Sequence, residues 1–514
     1  MVPCAVLLVL LVGAGAARAQ QADIIDIEYP LPIPYFIGNE NLDALGLEYG
    51  TEIFDTAMLL PMYLYRPIDD LTPRPGAQAL GMGGAYTAHA EGPLALGWNP
   101  AGLGRLREPA FALDGLTRSS TSTSEGLPDT VMIEGQPNFR ITRYEVRLAG
   151  ANQFGFAGGA MPLVWIGDRP LVGGVAYRRH TDVTYGEETV LEMSVFETTG
   201  YPFVLGQDNS EQGSIESLTM GLGYEALSLG DLWLSLGATA NFLTGRMTSN
   251  IESRISVRGY EEGMLDYRMR YKGFSVELGA QAALEGLVQV GGWVGLPHSI
   301  YVHDGRFTNT PIIPPNASFV YRTRGEFADY DLEVPLFASG GVRVGPIRGI
   351  ELAADVNYRP WSEAEIKHRL SEYQVFDAPY PGADVTSFHV GGRFEFPLFR
   401  RQLHDLGLRL MTQGGYRTLP LSMYDLDVFH GEAPYFFGDP VEGDAYSFGF
   451  SLETRTALTF HFGLETQGYK FRKWFLDDTR EMENRELSFS DPWARAPIVD
   501  RSVTVLRFGT EMNF

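Results

Sequence analysis

"RSVTVLRFGTEMNF", residues 501–514, sets Leu506, Phe508, Met512 and Phe514 on one side of an extended chain and Arg507, Glu511 and Asn513 on the other. Alternation with a period of two makes this a strand with one apolar and one polar face. It could close a soluble sandwich or a membrane barrel, and the rest of the chain decides between them.

The opposite end, "MVPCAVLLVLLVGAGAARAQ", holds an apolar run too short to span a bilayer, followed by Ala17-Arg18-Ala19. Residues 1–19 read as a signal peptide cleaved after Ala19, although no Lys or Arg precedes the apolar run. The only cysteine, Cys4, falls inside it, which excludes disulfides and thiolate chemistry from the mature chain. With 40 basic and 64 acidic side chains the formal charge is −24, the wrong sign for a nucleic-acid partner. Beyond the signal no window approaches the ~20 apolar residues of a membrane helix, yet 44% of the chain is hydrophobic and 12% aromatic. An exported chain of this kind is soluble in the periplasm or is an outer-membrane barrel, and the C-terminal strand selects the barrel. A closing strand ending in phenylalanine resembles the signal such barrels present to their assembly machinery, which makes Phe514 the candidate assembly signal.

A barrel predicts weak alternation in strands joined by short periplasmic turns and long outer loops. "SLTMGLGYEAL" sets Leu218, Met220, Leu222 and Tyr224 on one face, "LWLSLGATANFL" does so with Leu232, Leu234, Leu236 and Phe242, and "FSVELGAQAAL" with Phe274, Val276 and Leu278. Short connections stand at 166–170, 227–231, 284–287, 345–349, 398–405 and 454–457. Long ones are expected near 183–213, 247–270, 298–331, 362–383, 418–444 and 472–499, after a first outer loop at 117–138. Consecutive aromatics in two of them, Tyr435, Phe436 and Phe437, then Trp474 and Phe475, are candidates for capturing an apolar ligand, with packing of loop on loop as the plainer reading. Both termini in the periplasm require an even strand number. Residues 139–165 therefore read as one strand kinked between Gly150 and Gly155, which gives an all-β transmembrane antiparallel barrel of about 14 strands over 109–514.

Residues 20–108 lack sustained alternation and are too rich in Leu, Ile and Tyr to hang free. They contain "ALGMGGAYTAHAEGPLALGWNPAGLGRL" (79–106), a glycine-rich segment suited to tight turns in a narrow space. A wide barrel needs its lumen closed, so 20–108 read as an N-terminal extension and lumen plug. Gly81, Gly83, Gly84 and Gly102 allow close turns, Asn99 hydrogen-bonds backbone groups of an irregular buried chain, Pro100 fixes its direction and Ala101 leaves room against the wall.

The run Gly81-Met82-Gly83-Gly84-Ala85-Tyr86 followed by Trp98-Asn99-Pro100-Ala101-Gly102-Leu103 resembles the N-terminal hatch of FadL-type outer-membrane transporters of long-chain fatty acids and hydrocarbons. "AADVNYRPWSE" (353–363) and "GGYRTLPLS" (414–422) resemble other elements of that superfamily, so the likeness spans most of 77–514. It implies a plugged barrel of 14 strands that captures a hydrophobic small molecule from outside and releases it sideways into the outer-membrane lipid through a gap at a kinked strand, here Gly150 to Gly155. Residues 20–76 are longer and more acidic than a simple hatch. The superfamily also includes PorV-like barrels that serve protein secretion and attachment, the alternative function.

Nothing indicates an enzyme. The nine histidines are scattered singly without metal-ligand spacing, no G-x-S-x-G elbow occurs, and "GMGGAY" lacks the spacing of a phosphate loop, so no metal or cofactor is expected.

Overall fold

A computed structural model describes residues 23–28, 74–125, 131–133, 136–148, 151–182, 185–195, 203–255, 262–310, 319–327, 329–347, 349–369, 377–379, 383–395, 403, 407–421, 441–455, 457–472 and 498–514. The signal peptide, Gly150, and the loop aromatics Tyr435, Phe436, Phe437, Trp474 and Phe475 lie outside the described residues.

A short strand, β1 (Asp23–Glu28), comes first. Within 74–108 there follow a helix α1 (Ala77–Gly81) and two 3-10 turns, Gly92–Gly97 and Pro100–Arg105. The wall starts with β2 (Ala110–Glu125). The second crossing combines β4 (Gln136–Leu148) and β5 (Ala151–Ile166), preceded by the short β3 (Val131–Ile133). The third is β6 (Arg169–Asp182) with β7 (Tyr185–Val195), and three long strands follow: β8 (Phe203–Leu229), β9 (Leu232–Ile255) and β10 (Gly263–Leu284). The seventh crossing joins β11 (Val288–Gly295) and β12 (His298–Thr310). The eighth joins β13 (Phe319–Glu326), β14 (Tyr330–Val334) and β15 (Phe337–Ile347). The ninth is β16 (Ile350–Arg359) with β17 (Glu365–His368), and the tenth β18 (Asp377–Pro379) with β19 (Val385–Glu395). Four single strands complete the wall: β20 (Leu408–Thr418), β21 (Gly443–Thr454), β22 (Leu458–Arg472) and β23 (Ile498–Asn513). These crossings form a closed antiparallel 14-strand barrel. Closure is the full-length pairing of β2 with β23, from Ala110↔Asn513 to Glu125↔Ile498.

The first and last wall strands pair along their full length, so neither presents a free edge to the other side of the closure, as a strand structure in hydrocarbon requires. The outward face supplies the apolar belt: Leu218, Met220 and Leu222 on β8, Phe242 on β9, Phe274 and Leu278 on β10, and Phe448 on β21 are all exposed large side chains. A closed antiparallel barrel with that belt belongs in the outer membrane. The short turns at 166–170, 227–231, 284–287, 345–349 and 454–457 fall between strands as expected, that at 398–405 lying largely outside the described residues, and Gly167 and Gly230 make two of them with φ of 68° and 61°.

The outer ends depart from expectation. Much of 203–213, 247–270 and 298–331, read above as loops, is strand, so that β8, β9 and β10 run to 27, 24 and 22 residues. Alternation persists there in reversed sense. On β10 Leu265, Tyr267, Met269 and Tyr271 are buried, whereas Arg268, Arg270 and Lys272 are exposed. A search for apolar residues facing lipid passes over strands whose apolar residues face the lumen. At the same outer end β1 joins β13 in parallel, from Asp23↔Phe319 to Glu28↔Arg324.

The purified protein is expected to show a β-dominated circular dichroism spectrum and to migrate differently on gels before and after boiling. Deleting Phe514 removes one backbone bond, to Pro109 O at 2.9 Å, and leaves the ladder intact. Outer-membrane yield, followed by immunoblot, should fall well before the melting temperature of the assembled fraction changes.

Candidate functional site

Segment 74–108 meets the wall backbone to backbone. Gly83 and Gly84 turn with φ of 65° and 75°, and a Cβ on Gly83 would stand 2.7 Å from Tyr416 N on β20. A Cβ on Gly81 would reach Gln413 Oε1 at 2.7 Å, and one on Gly102 would reach Ala90 O at 2.0 Å. The wall answers with glycines of its own. A Cβ on Gly237 of β9 would lie 2.3 Å from the Pro100 carbonyl carbon, on Gly279 of β10 2.1 Å from Asn99 Oδ1, on Gly391 of β19 2.2 Å from Met82 O, and on Gly463 of β22 2.5 Å from Ala77 O. These contacts involve strands on opposite sides of the lumen and form a collar of missing side chains around the segment.

Close approach leaves many backbone groups away from water, and each needs a partner. Asn99, fully buried, donates through Nδ2 to Thr87 O (3.2 Å) and to Ala280 O on the wall (3.1 Å), and its Oδ1 accepts from Ala101 N (3.2 Å). It thereby caps the 3-10 turn that Pro100 starts. Asp355 on β16 accepts from the Tyr86 and Thr87 amides, each at 2.7 Å. His389 Nδ1 donates to Gly83 O (2.8 Å), Ser447 to Gly81 O (3.2 Å), and Gln281 Nε2 to the Ala90 carbonyl (3.1 Å). Trp98 Nε1 donates to Pro75 O at 2.6 Å, and its ring meets Tyr86 edge-on at 5.4 Å. Trp98, Leu94, Leu96 and Leu103 then pack on Ala112, Phe156, Ala160 and Val172 of the facing wall. The segment thus has its main apolar side toward β2, β5 and β6, with smaller apolar contacts of Leu80 on Leu419, Val441 and Val505 and of Met82 and Ala85 on Ala353, and polar or glycine contacts between them.

Two further regions flank this level. Toward the outer end, Leu243, Met247 and Ile251 of β9, Tyr267 and Tyr271 of β10, Ile300 of β12, Leu332 of β14 and Ile366 of β17 form one continuous buried cluster. Toward the periplasm, Arg343 and Arg393 bracket Glu351 at 3.1 and 2.9 Å, and His89 Nδ1 stands 3.9 Å from the same carboxylate. Burial first, then the two guanidinium cations, hold the His89 pKa well below its ordinary value, so the imidazole is neutral.

The ladder of the wall is irregular beside β2. Its ladder with β5 runs from Ala110↔Ala160 to Arg118↔Ala151 and slips between Asp114 and Gly115, where Gly155 is the extra residue. Among the described residues Ser119–Glu125 have no ladder partner on that side. A Cβ on Gly155 would touch Asp114 Oδ2 at 3.0 Å, and Asp114 is paired with Arg507 at 3.2 Å.

A solved Pseudomonas aeruginosa FadL homologue aligns at a TM-score of 0.54 with 11% identity over 87% of this chain and 100% of its own. The chain has the FadL-type fold. The Pseudomonas putida toluene transporter TodX has the same fold, at a TM-score of 0.50 and 14% identity, covering 87% of this chain and 100% of its own. No family model and no curated protein matches by sequence. Within this FadL-type barrel the wall glycines and the reversed outer alternation were missed in the sequence, although Gly221, Gly223, Gly237 and Gly279 all stand inside the strand stretches quoted above.

Replacing Asn99 with Leu keeps the volume and strands backbone groups, at about 1–3 kcal/mol each. Replacing Gly237 with Ala drives a Cβ into the Pro100 peptide. Both variants are expected to retain heat-modifiable mobility and raise single-channel conductance in planar bilayers; wild-type conductance in both would show that the segment does not limit passage.

Proposed function

We propose that this protein is an outer-membrane channel for the uptake of a hydrophobic small molecule, with segment 74–108 as its plug. The observation that carries the reading is the inner apolar cluster, from Leu243 on β9 to Ile366 on β17, immediately outward of the segment. Side chains facing a water-filled lumen are ordinarily polar, and an apolar sector there offers a surface for an apolar solute. The floor on the other side carries Arg343, Arg393 and Glu351, which an apolar solute would have to strip of their hydration or pass at a distance. The low-cost route is therefore sideways, through the seam between β2 and β5, where Gly155 bulges and the ladder stops at Arg118. The shared fold with a FadL homologue and with a toluene transporter supports the same class of cargo and a channel rather than an enzyme.

Uptake of a fluorescent long-chain fatty acid and of labelled toluene, in cells with and without the gene, tests the reading and separates the two cargo classes. Ile300→Asp, which puts a charge in the apolar cluster, should lower uptake at least tenfold at equal surface expression. A Thr117→Cys/Asn152→Cys pair, opposite each other across the seam, should block uptake when oxidised and restore it on reduction. Uptake indifferent to both changes would refute the route, and a tightly co-purifying exported protein without uptake would favour the secretion alternative.

A further inference from the structure

The outward face of β9 and β10 changes character at a single point. Phe242 and Phe274, Cα partners whose rings lie 5.3 Å apart, end the apolar belt on these strands. The next outward positions along β10 are Lys272, Arg270 and Arg268, all exposed. Arg246 of β9 is the Cα partner of Arg270, and Arg306 of β12 is the partner of Arg268. Five cations thus occupy neighbouring outward positions on three strands of a chain whose net charge is −24.

Acids nearby offset only part of this. Asp304 pairs with Arg270 at 3.1 Å and Glu326 with Arg306 at 3.2 Å, while Glu216 on β8 faces Arg179 at 3.7 Å and Asp266 accepts from Asn250 at 2.7 Å. Among the described residues Arg246, Arg268 and Lys272 have no ion pair. Like charges directly opposite in a ladder are destabilising, and with Asp304 committed to Arg270 the charges on Arg246, Arg268 and Lys272 call for an anion from outside the chain. The patch stands where the hydrocarbon belt gives way to lipid headgroups, and guanidinium forks match phosphate oxygens in pairs.

We propose that this face binds the phosphate groups of a phosphorylated glycolipid of the outer leaflet, with Phe242 and Phe274 against its acyl chains and Arg246, Arg268, Arg270 and Lys272 around its headgroup. The proposal rests on the outer-membrane placement of the barrel and not on what the lumen carries. Full-length protein in detergent would be titrated with bis-phosphorylated lipid A and with its dephosphorylated form, and bound lipid counted by native mass spectrometry. Wild type should prefer the phosphorylated lipid, less so at high salt. The R246Q/R268Q/K272Q variant should bind it at least tenfold more weakly while keeping wild-type heat-modifiability; should that variant fail to assemble, R268Q/K272Q on β10 alone should weaken binding at least threefold. Equal binding by variant and wild type, equal binding of both lipids, or displacement by equimolar inorganic phosphate would each overturn the proposal.

Discussion

Segment 74–108 lies against the wall because backbone there touches backbone: the Pro100 peptide against Gly237, the Met82 carbonyl against Gly391, the Ala77 carbonyl against Gly463. Each wall glycine removes the Cβ that would hold the two chains apart. Removing side chains also removes polar groups, and an irregular chain pressed into such a space has donors and acceptors that no regular ladder satisfies. Inward polar residues on four different strands, Asp355, Gln281, His389 and Ser447, each bond to backbone of the segment. Apart from glycine, the middle of the lumen is therefore largely committed to holding one stretch of chain.

That commitment divides the inner surface by height. The outer level is apolar, from Leu243 to Ile366; the middle is glycine and backbone-binding polar groups; the inner level is a charged girdle around Glu351. An apolar solute is welcome at only one of the three. The middle level is itself asymmetric, since Trp98, Leu96 and Leu103 pack on β5 and β6 beside the interrupted β2 ladder. Loosening the segment on that side disturbs van der Waals contacts, whereas loosening it on the other breaks hydrogen bonds to Asp355 and His389.

The fold was legible where a single physical rule spans a long stretch. Leu218, Met220 and Leu222, or Phe274 and Leu278, announce a lipid-facing strand. The strand count was legible too, because the break between β4 and β5 could be read as one crossing. What could not be read shares a cause. Met247, Ile251 and Tyr267 alternate as strictly as the belt residues but toward the lumen, and a single sequence does not mark which face of an outer strand is wet. Gly237 and Gly279 read in isolation as weak points in strands, and only their partners 100 and 99 in the folded chain show that they are contact surfaces. The glycines of the segment itself were conspicuous because seven occur within residues 79–106, and Asn99-Pro100-Ala101 because its short polar and small residues suit a capped turn.

The pairing of β1 with β13 bears on the order of events in time. Asp23 is synthesised long before its ladder partner Phe319. The start of the chain thus waits for a hairpin at the outer rim, while residues 74–108 must already stand where the lumen will be when β23 reaches β2. Once β23 pairs with β2, the segment is enclosed, its C-terminal end passing directly into the first strand of the wall. The wall is therefore closed around this segment, and its late entry into a finished cylinder would require threading that the closing strand pair makes unnecessary.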